Sequence, residues 1–198
     1  MTRLCCQQFD SPVGPLAAIV VEREGAETLA ALEFSVGPRL EREEHELRAA
    51  LRAEPETTRV PLHDEVERQL GAYFAGEIRE FSLPLETPGT PFQQAVWRAL
   101  CEIPYGTTCS YGQLAERIGS PGAQRAVGAA NGANRVAIVV PCHRVIESGG
   151  GLRGYGGGLE RKQFLLQLEG AWPTHATLFD AEPGRPAPAG TTTAKAAT

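Results

Sequence analysis

A thiol, an imidazole and a guanidinium follow one another at Cys142, His143 and Arg144, directly after Pro141. A free cysteine with a pKa of about 8.5 is only slightly ionised at neutral pH, so a nucleophilic one needs neighbours that favour the thiolate. His143 and Arg144 are groups of that kind. The plain alternative is an inert buried thiol, since unpaired cysteine is among the most buried residue types. Side chains at i and i+1 diverge on a strand, so His143 reaches Cys142 only through a bend, which Pro141 favours, or through a water. The same divergence lets His143 face inward to a separate partner.

The stretch Ala123-Gln-Arg-Ala-Val-Gly-Ala-Ala130 is a second candidate. It reads as a helix with only Gln124, Arg125 and Val127 larger than alanine, so another backbone can approach it closely. That backbone is either the protein's own core or a sugar-phosphate chain with Arg125 projecting into a duplex. Major-groove readout needs several long polar side chains, so a DNA-binding helix of this kind reads shape. Further on, seven of the eleven residues 148–158 are glycine. They contain a formal G-x-G-x-x-G without the strand-turn-helix context of a dinucleotide site, and read better as a loop lining a pocket, with Tyr155 closing over a flat ligand. His45 and His63 sit among charged residues and read as solvated, Trp97 as packing, and Cys101 and Cys109 as core or partly buried thiols.

Five cysteines in 198 residues are not a disulfide framework, and no C-x-x-C or paired histidines mark a zinc site. No apolar run approaches the roughly 20 residues of a membrane helix and no secretory signal is visible, which gives an expectation of a cytoplasmic protein. The net charge of −5 is uneven: residues 1–90 carry 9 Lys+Arg against 17 Asp+Glu, residues 91–172 carry 8 against 5. A polyanion partner would therefore meet the second half.

The elements that must position these groups follow from periodicity. Short apolar or alternating runs at 3–9, 16–21 and 29–34 predict a small antiparallel sheet, with turns at 10–14 and 22–27. A charge-rich helix is expected over 40–53, and Leu62, Val66, Leu70 and Phe74 form a helical stripe ended by Gly76. Phe81, Leu83 and Leu85 alternate as a strand, before a Pro/Gly linker near residue 88. Phe92, Val96 and Leu100 mark another helix. Ser110-Tyr-Gly-Gln113 is a capping box opening a helix through Ile118, and Ser120-Pro121 is a second helix start, so a helix-turn-helix is expected. The run 136–140 reads as a strand leading to Cys142, and 159–170 as a last helix. Residues 173–198 are too poor in large apolar groups to pack and are expected to be disordered. The predicted division is 1–88, 89–172 and a tail at 173–198, in an α+β protein.

Six segments in unbroken order, Phe92-Gln-Gln-Ala-Val-Trp97, Ile103-Pro-Tyr-Gly-Thr-Thr-Cys-Ser-Tyr-Gly112, Arg125-Ala-Val-Gly128, Ala130-Asn-Gly-Ala-Asn134, Pro141-Cys-His-Arg-Val145 and Gly154-Tyr-Gly-Gly-Gly-Leu159, resemble the motifs of the O6-alkylguanine-DNA alkyltransferases, also called methylated-DNA-protein-cysteine methyltransferases. The resemblance implies a ribonuclease-H-like α/β first domain and a winged helix-turn-helix-like second one. It also implies a monomer, without cofactor or metal, that binds double-stranded DNA from the minor groove and flips out O6-alkylguanine. The alkyl group would pass irreversibly to an exposed Cys142. By the same resemblance His143 is the base acting through a water, Glu169 holds His143, Asn134 braces the turn, and Tyr111 donates to guanine N3. Arg125 fills the vacated space; Ala126, Gly128 and Tyr111 meet DNA; Val145, Arg153, Tyr155 and Gly156 line the base pocket.

Three departures stand out. Arg135 replaces a common proline, which loosens the bracing turn or adds a phosphate contact. The first half has Cys5 but no histidine set for the structural zinc of some members. Bulky Arg153 precedes the pocket motif and would narrow it. The rival readings are an alkyltransferase-like lesion binder, which would carry tryptophan at position 142, a helix-turn-helix regulator, and a Cys-His hydrolase.

Overall fold

The computed structural model describes residues 2–35 and 38–172, the side chains of residues 38 and 39 excepted. The tail expected to be disordered lies outside the described residues.

The fold is mixed α+β. β1 (Thr2–Phe9), β2 (Leu16–Arg23) and β3 (Ala26–Phe34) form an antiparallel meander, and β4 (Pro55–Glu56) adds a short parallel strand beside β1 in the order β3-β2-β1-β4. The β2–β3 turn is tighter than the sequence pattern implied. Glu24 and Gly25 alone make it, both at positive φ (51° and 83°), as a two-residue hairpin of the favoured twist requires. Every residue from Leu16 to Val21 is buried because both sheet faces are covered. Ile19 and Val21 pack with Leu47 of α1 (Pro38–Leu51), while Leu16, Ala18 and Val20 pack with Val66 and Leu70 of α2 (Pro61–Phe74).

The α2 stripe is as read except at its end, where fully buried Tyr73 replaces Phe74 as the innermost residue. His63 is also fully buried, with Nδ1 accepting from Val60 N at 3.1 Å, which corrects its reading as solvated. Residues 81–85 form no strand: only Leu85 bridges to Leu29, because Pro84 offers a carbonyl and no N–H.

α3 (Pro91–Cys101) is capped by Thr90 with Gln93, and α4 (Tyr111–Arg117) by Ser110 with Gln113, both reciprocal capping boxes. The helix after α4 begins later than expected. Ser120 and Pro121 form a turn, with Ser120 O accepting from Ala123 N, and α5 covers Gln124–Gly132. Gly119 and Gly122 take positive φ there (69° and 86°). β5 (Cys109–Ser110) pairs in parallel with β6 (Val145–Ile146), and α6 is Leu159–Leu168.

The expected strand at 136–140 is instead a compact turn. Val136 alone bridges to Leu32, Val140 N bonds back to Val136 O, and buried Ile138 sits at φ 71°. A β-branched residue there stores backbone strain of about 1–3 kcal/mol. The apolar run reports burial, not extension. Through Leu32, which bonds Arg135 O and Ala137 N at 2.8 Å, the sheet grips this turn, and one core runs through both halves of the chain.

Candidate functional site

Pro141 ends the turn, and Cys142–Arg144 form a single 3₁₀ turn that separates the side chains a strand would have alternated. Asn134 organises this segment. Its Oδ1 accepts from Val136 N at 3.1 Å, and its Nδ2 donates to Val140 O at 2.9 Å and to Cys142 Sγ at 3.0 Å. Asn131, which the sequence reading did not single out, lies 3.4 Å from Cys142 O. The thiol is not exposed as expected: Cys142 keeps only 6% of its surface.

His143 is fully buried and points away from solvent, with Nε2 2.9 Å from Glu169 Oε1. Burial lowers its pKa, and the hydrogen bond to Glu169 only partly opposes this, so the imidazole is neutral near pH 7. With Nε2–H donating to the carboxylate, Nδ1 is left as the acceptor, and it has no hydrogen-bond partner among the described residues. Glu169 sits at the C-terminal end of α6 and is a hub for three side chains. Tyr73 Oη donates at 2.7 Å, Arg144 Nη2 at 2.9 Å and Arg144 Nε at 2.8 Å, besides His143. Burial pushes this carboxyl up, but the hydrogen bonds from His143 and Arg144 outweigh it and hold the pKa at about 2. Burial and the adjacent carboxylate push the Tyr73 phenol up, which keeps it a donor.

Arg144 therefore does not serve Cys142. Its guanidinium is spent on Glu169 and on Ile103 O at 2.6 Å. Arg135 is likewise engaged within the protein, at 2.5 Å from both Glu43 and Glu46 of α1, rather than projecting freely from the turn after Asn134.

Tyr111 opens α4 and donates to Arg153 O at 3.3 Å, and its ring lies close to Gly128 of α5. Burial, then Cys142 and Glu147, push its phenol up. Arg125 and Ala126 are exposed on the outer face of α5, whereas Val127, Ala130 and Asn131 turn inward. A wide groove of about 630 Å³ runs past Tyr111, Arg125, Gly128, Arg153 and Tyr155. A slot of about 10 Å³ continues from Gly154, Tyr155 and Gly156 to Cys142, and Phe34 of β3 lines it too. Val145, expected in the pocket, lies in β6 and lines neither space. Arg153 lines only the groove. Its side chain is 79% exposed and its Nε lies 3.3 Å from Glu147, so it does not narrow the slot.

Lys162 is a further buried group that the sequence did not flag. Nζ donates to Val145 O at 2.6 Å and to Arg153 O at 3.1 Å, and burial pulls its pKa down to about 8. Tyr73 and Phe34 come from elements far from the motif in sequence, Lys162 lies three residues past the Gly154–Leu159 segment, and no local pattern marks any of them. Among the described residues no group of three or more His, Cys, Asp or Glu side chains could hold a metal, and no helix is long and apolar enough to cross a membrane.

The chain is similar to known proteins in sequence and in fold. Residues 91–171 match the family model described as the 6-O-methylguanine DNA methyltransferase, DNA binding domain. The methylated-DNA–protein-cysteine methyltransferase of Mycolicibacterium paratuberculosis is 65% identical over 113 residues, which are 57% of this chain and 68% of that one. Its namesake in Methanosarcina acetivorans is 58% identical over 107 residues, 54% of this chain and 69% of the relative. Among solved structures, Mycobacterium tuberculosis OGT in complex with DNA is similar with a TM-score of 0.69 and 44% identity, over 86% of this chain and 96% of that one. The hyperthermophile Pyrococcus kodakaraensis enzyme, an O6-methylguanine-DNA methyltransferase, gives 0.57 and 25% over 86% and 99%. Likeness of this extent, in sequence across the Cys142 segment and in fold across both halves, places the chain in the methylated-DNA–protein-cysteine methyltransferase family.

Proposed function

We propose that the protein repairs DNA by direct reversal, moving the alkyl group of O6-alkylguanine to Cys142 and ending its own activity in doing so. The observation that carries this reading is the buried Cys142-His143-Glu169 array, in which a neutral imidazole presents a free Nδ1 while Nε2 is held by a carboxylate. The Cys142 proton passes through a water to Nδ1, and Glu169 stabilises the imidazolium that forms. Sγ, held by Asn134 Nδ2, attacks the alkyl carbon. The carbon–O6 bond breaks with its electron pair going to guanine, whose charge Tyr111 relieves by donating a proton at N3. The stable thioether makes each molecule a single-use reagent.

DNA is the macromolecular partner. The slim outer face of α5, with Arg125, Ala126 and neighbouring Gly128, suits close approach along the minor groove, and Arg125 suits filling the space left by the flipped base. Tyr111, Tyr155 and Gly156 then lead the base from the groove toward Cys142. The same reading takes the first 88 residues as a ribonuclease-H-like supporting unit, residues 89–172 as a winged helix-turn-helix-like unit, and the protein as a cytoplasmic monomer. Cysteine at position 142 disfavours the mere lesion binder, and a regulator would have no use for the His143-Glu169 array.

The test is to incubate the protein with a duplex carrying one O6-methylguanine and digest the DNA. Guanine restored in equivalence to protein, without turnover, is expected. Turnover beyond one equivalent, or no restoration, would refute the proposal.

A further inference from the structure

The slot beside Cys142 has a wall from the other half of the molecule. Phe34, the last residue of β3, lines it together with Cys142, Gly154, Tyr155 and Gly157. The ring is fixed from several sides. Gly157 lies so close that a Cβ there would fall 2.2 Å from the Phe34 ring, Tyr155 meets the ring edge-on at 6.0 Å between centroids, and Arg161 lies 4.6 Å above its centre. Arg161 is held in turn by Val13 O at 2.6 Å and Gly157 O at 2.9 Å. Asn131 and Asn134 also line the slot and donate to Cys142 O and Val140 O. The slot's volume of about 10 Å³ is that of a single water-sized group.

We infer that Phe34 sets the upper size of the alkyl group that Cys142 can accept. This rests on the proposed alkyl transfer. A methyl on O6 occupies the slot as it stands, whereas a benzyl group needs the volume that the Phe34 ring fills. Displacing that ring would also break its stacking with Arg161 and its contact with Gly157. The chemical step is the same for both groups: Sγ–carbon forms, carbon–O6 breaks, and the thiol proton leaves through His143 as guanine gains one. Discrimination therefore resides in fit, where a pocket contact the size of a methylene is worth about tenfold or more.

The test compares O6-methylguanine and O6-benzylguanine as free bases, with alkylated protein followed by intact mass, in the parent, Phe34→Ala and Phe34→Leu. The benzyl-to-methyl rate ratio should rise at least about tenfold in Phe34→Ala and by less in Phe34→Leu. A ratio that stays constant or falls overturns the inference, whatever happens to the absolute rates, because a merely structural role slows both substrates alike. Should Phe34→Ala fail to fold, Phe34→Leu decides, paired with Gly157→Ala. The latter should slow transfer in the parent background and recover with Phe34→Leu, and no recovery counts against the assignment. Failure of the parent to take methyl from O6-methylguanine in duplex DNA would instead sink the alkyl transfer itself.

Discussion

Tyr73 Oη and Glu169 Oε1 lie 2.7 Å apart although 96 residues separate them in sequence. A helix of the first half thus supplies one of the hydrogen bonds that the buried Glu169 carboxylate accepts. Tyr73→Phe removes that donor while leaving the ring packed on Phe81 and Tyr105. Urea unfolding should show a loss of about 2 kcal/mol, the worth of a buried hydrogen bond to a charge. Unchanged stability would mean that Glu169 does not depend on the first half.

The Glu169 carboxyl is held at about 2 against a reference of 4.5, so its contribution is fully present above pH 4.5 and is lost as pH falls toward 2. A shift of that size is worth about 3 kcal/mol. His143, whose pKa is also lowered, acts in the same direction over a higher range: its neutral form stabilises the fold above pH 6.5, and acidification erodes that. The difference in unfolding free energy between the parent and Glu169→Gln should shrink steadily from pH 4.5 downward. A difference independent of pH would contradict the ionised hub.

Lys162 has the same sign in a higher pH window. Its folded pKa of about 8 lies below the reference of 10.5, so the unfolded chain binds more protons between those values and stability rises with pH across that window. Relative to Lys162→Met, the parent should gain about 3 kcal/mol between pH 8 and 10.5, measured by denaturant titration. No relative gain would mean that the ammonium is solvated.

Arg135 anchors α1 to the residue that follows Asn134, with its side chain 15% exposed and Glu43 3% exposed. Arg135→Ala should destabilise by about 2 kcal/mol, since it leaves a buried carboxylate short of its close partner. It should leave the salt dependence of DNA binding unaltered. A slope reduced by about one counterion would point to a phosphate contact in place of the ion pairs with α1.

Much of this architecture is legible locally. The β1–β3 strands, the α2 and α3 stripes and the Ser110-Gln113 capping box are set by neighbouring residues, and the structure contains them. The two-residue strands β4, β5 and β6 are too short to leave a period and exist only through distant partners. The turn at 136–140 escaped because burial and extension share one apolar signature, and what bends it is a side chain, Asn134, capturing backbone two and six residues on. At the site, Cys142, His143, Asn134 and Glu169 carry motif or chemical signals and are brought together. Tyr73 and Phe34 look like ordinary core aromatics until the fold delivers them, and Arg144 changes partner from Cys142 to Glu169 for the same reason.

The most direct test of the central claim uses an oligonucleotide duplex with an isotopically labelled methyl on O6 of guanine. After one incubation, intact mass and peptide mapping locate the label. The account predicts a single methyl on the peptide containing Cys142, and none on Cys142→Ala even though that variant still binds the duplex. Label remaining on the DNA, or appearing on Cys109 or any other side chain, would contradict it.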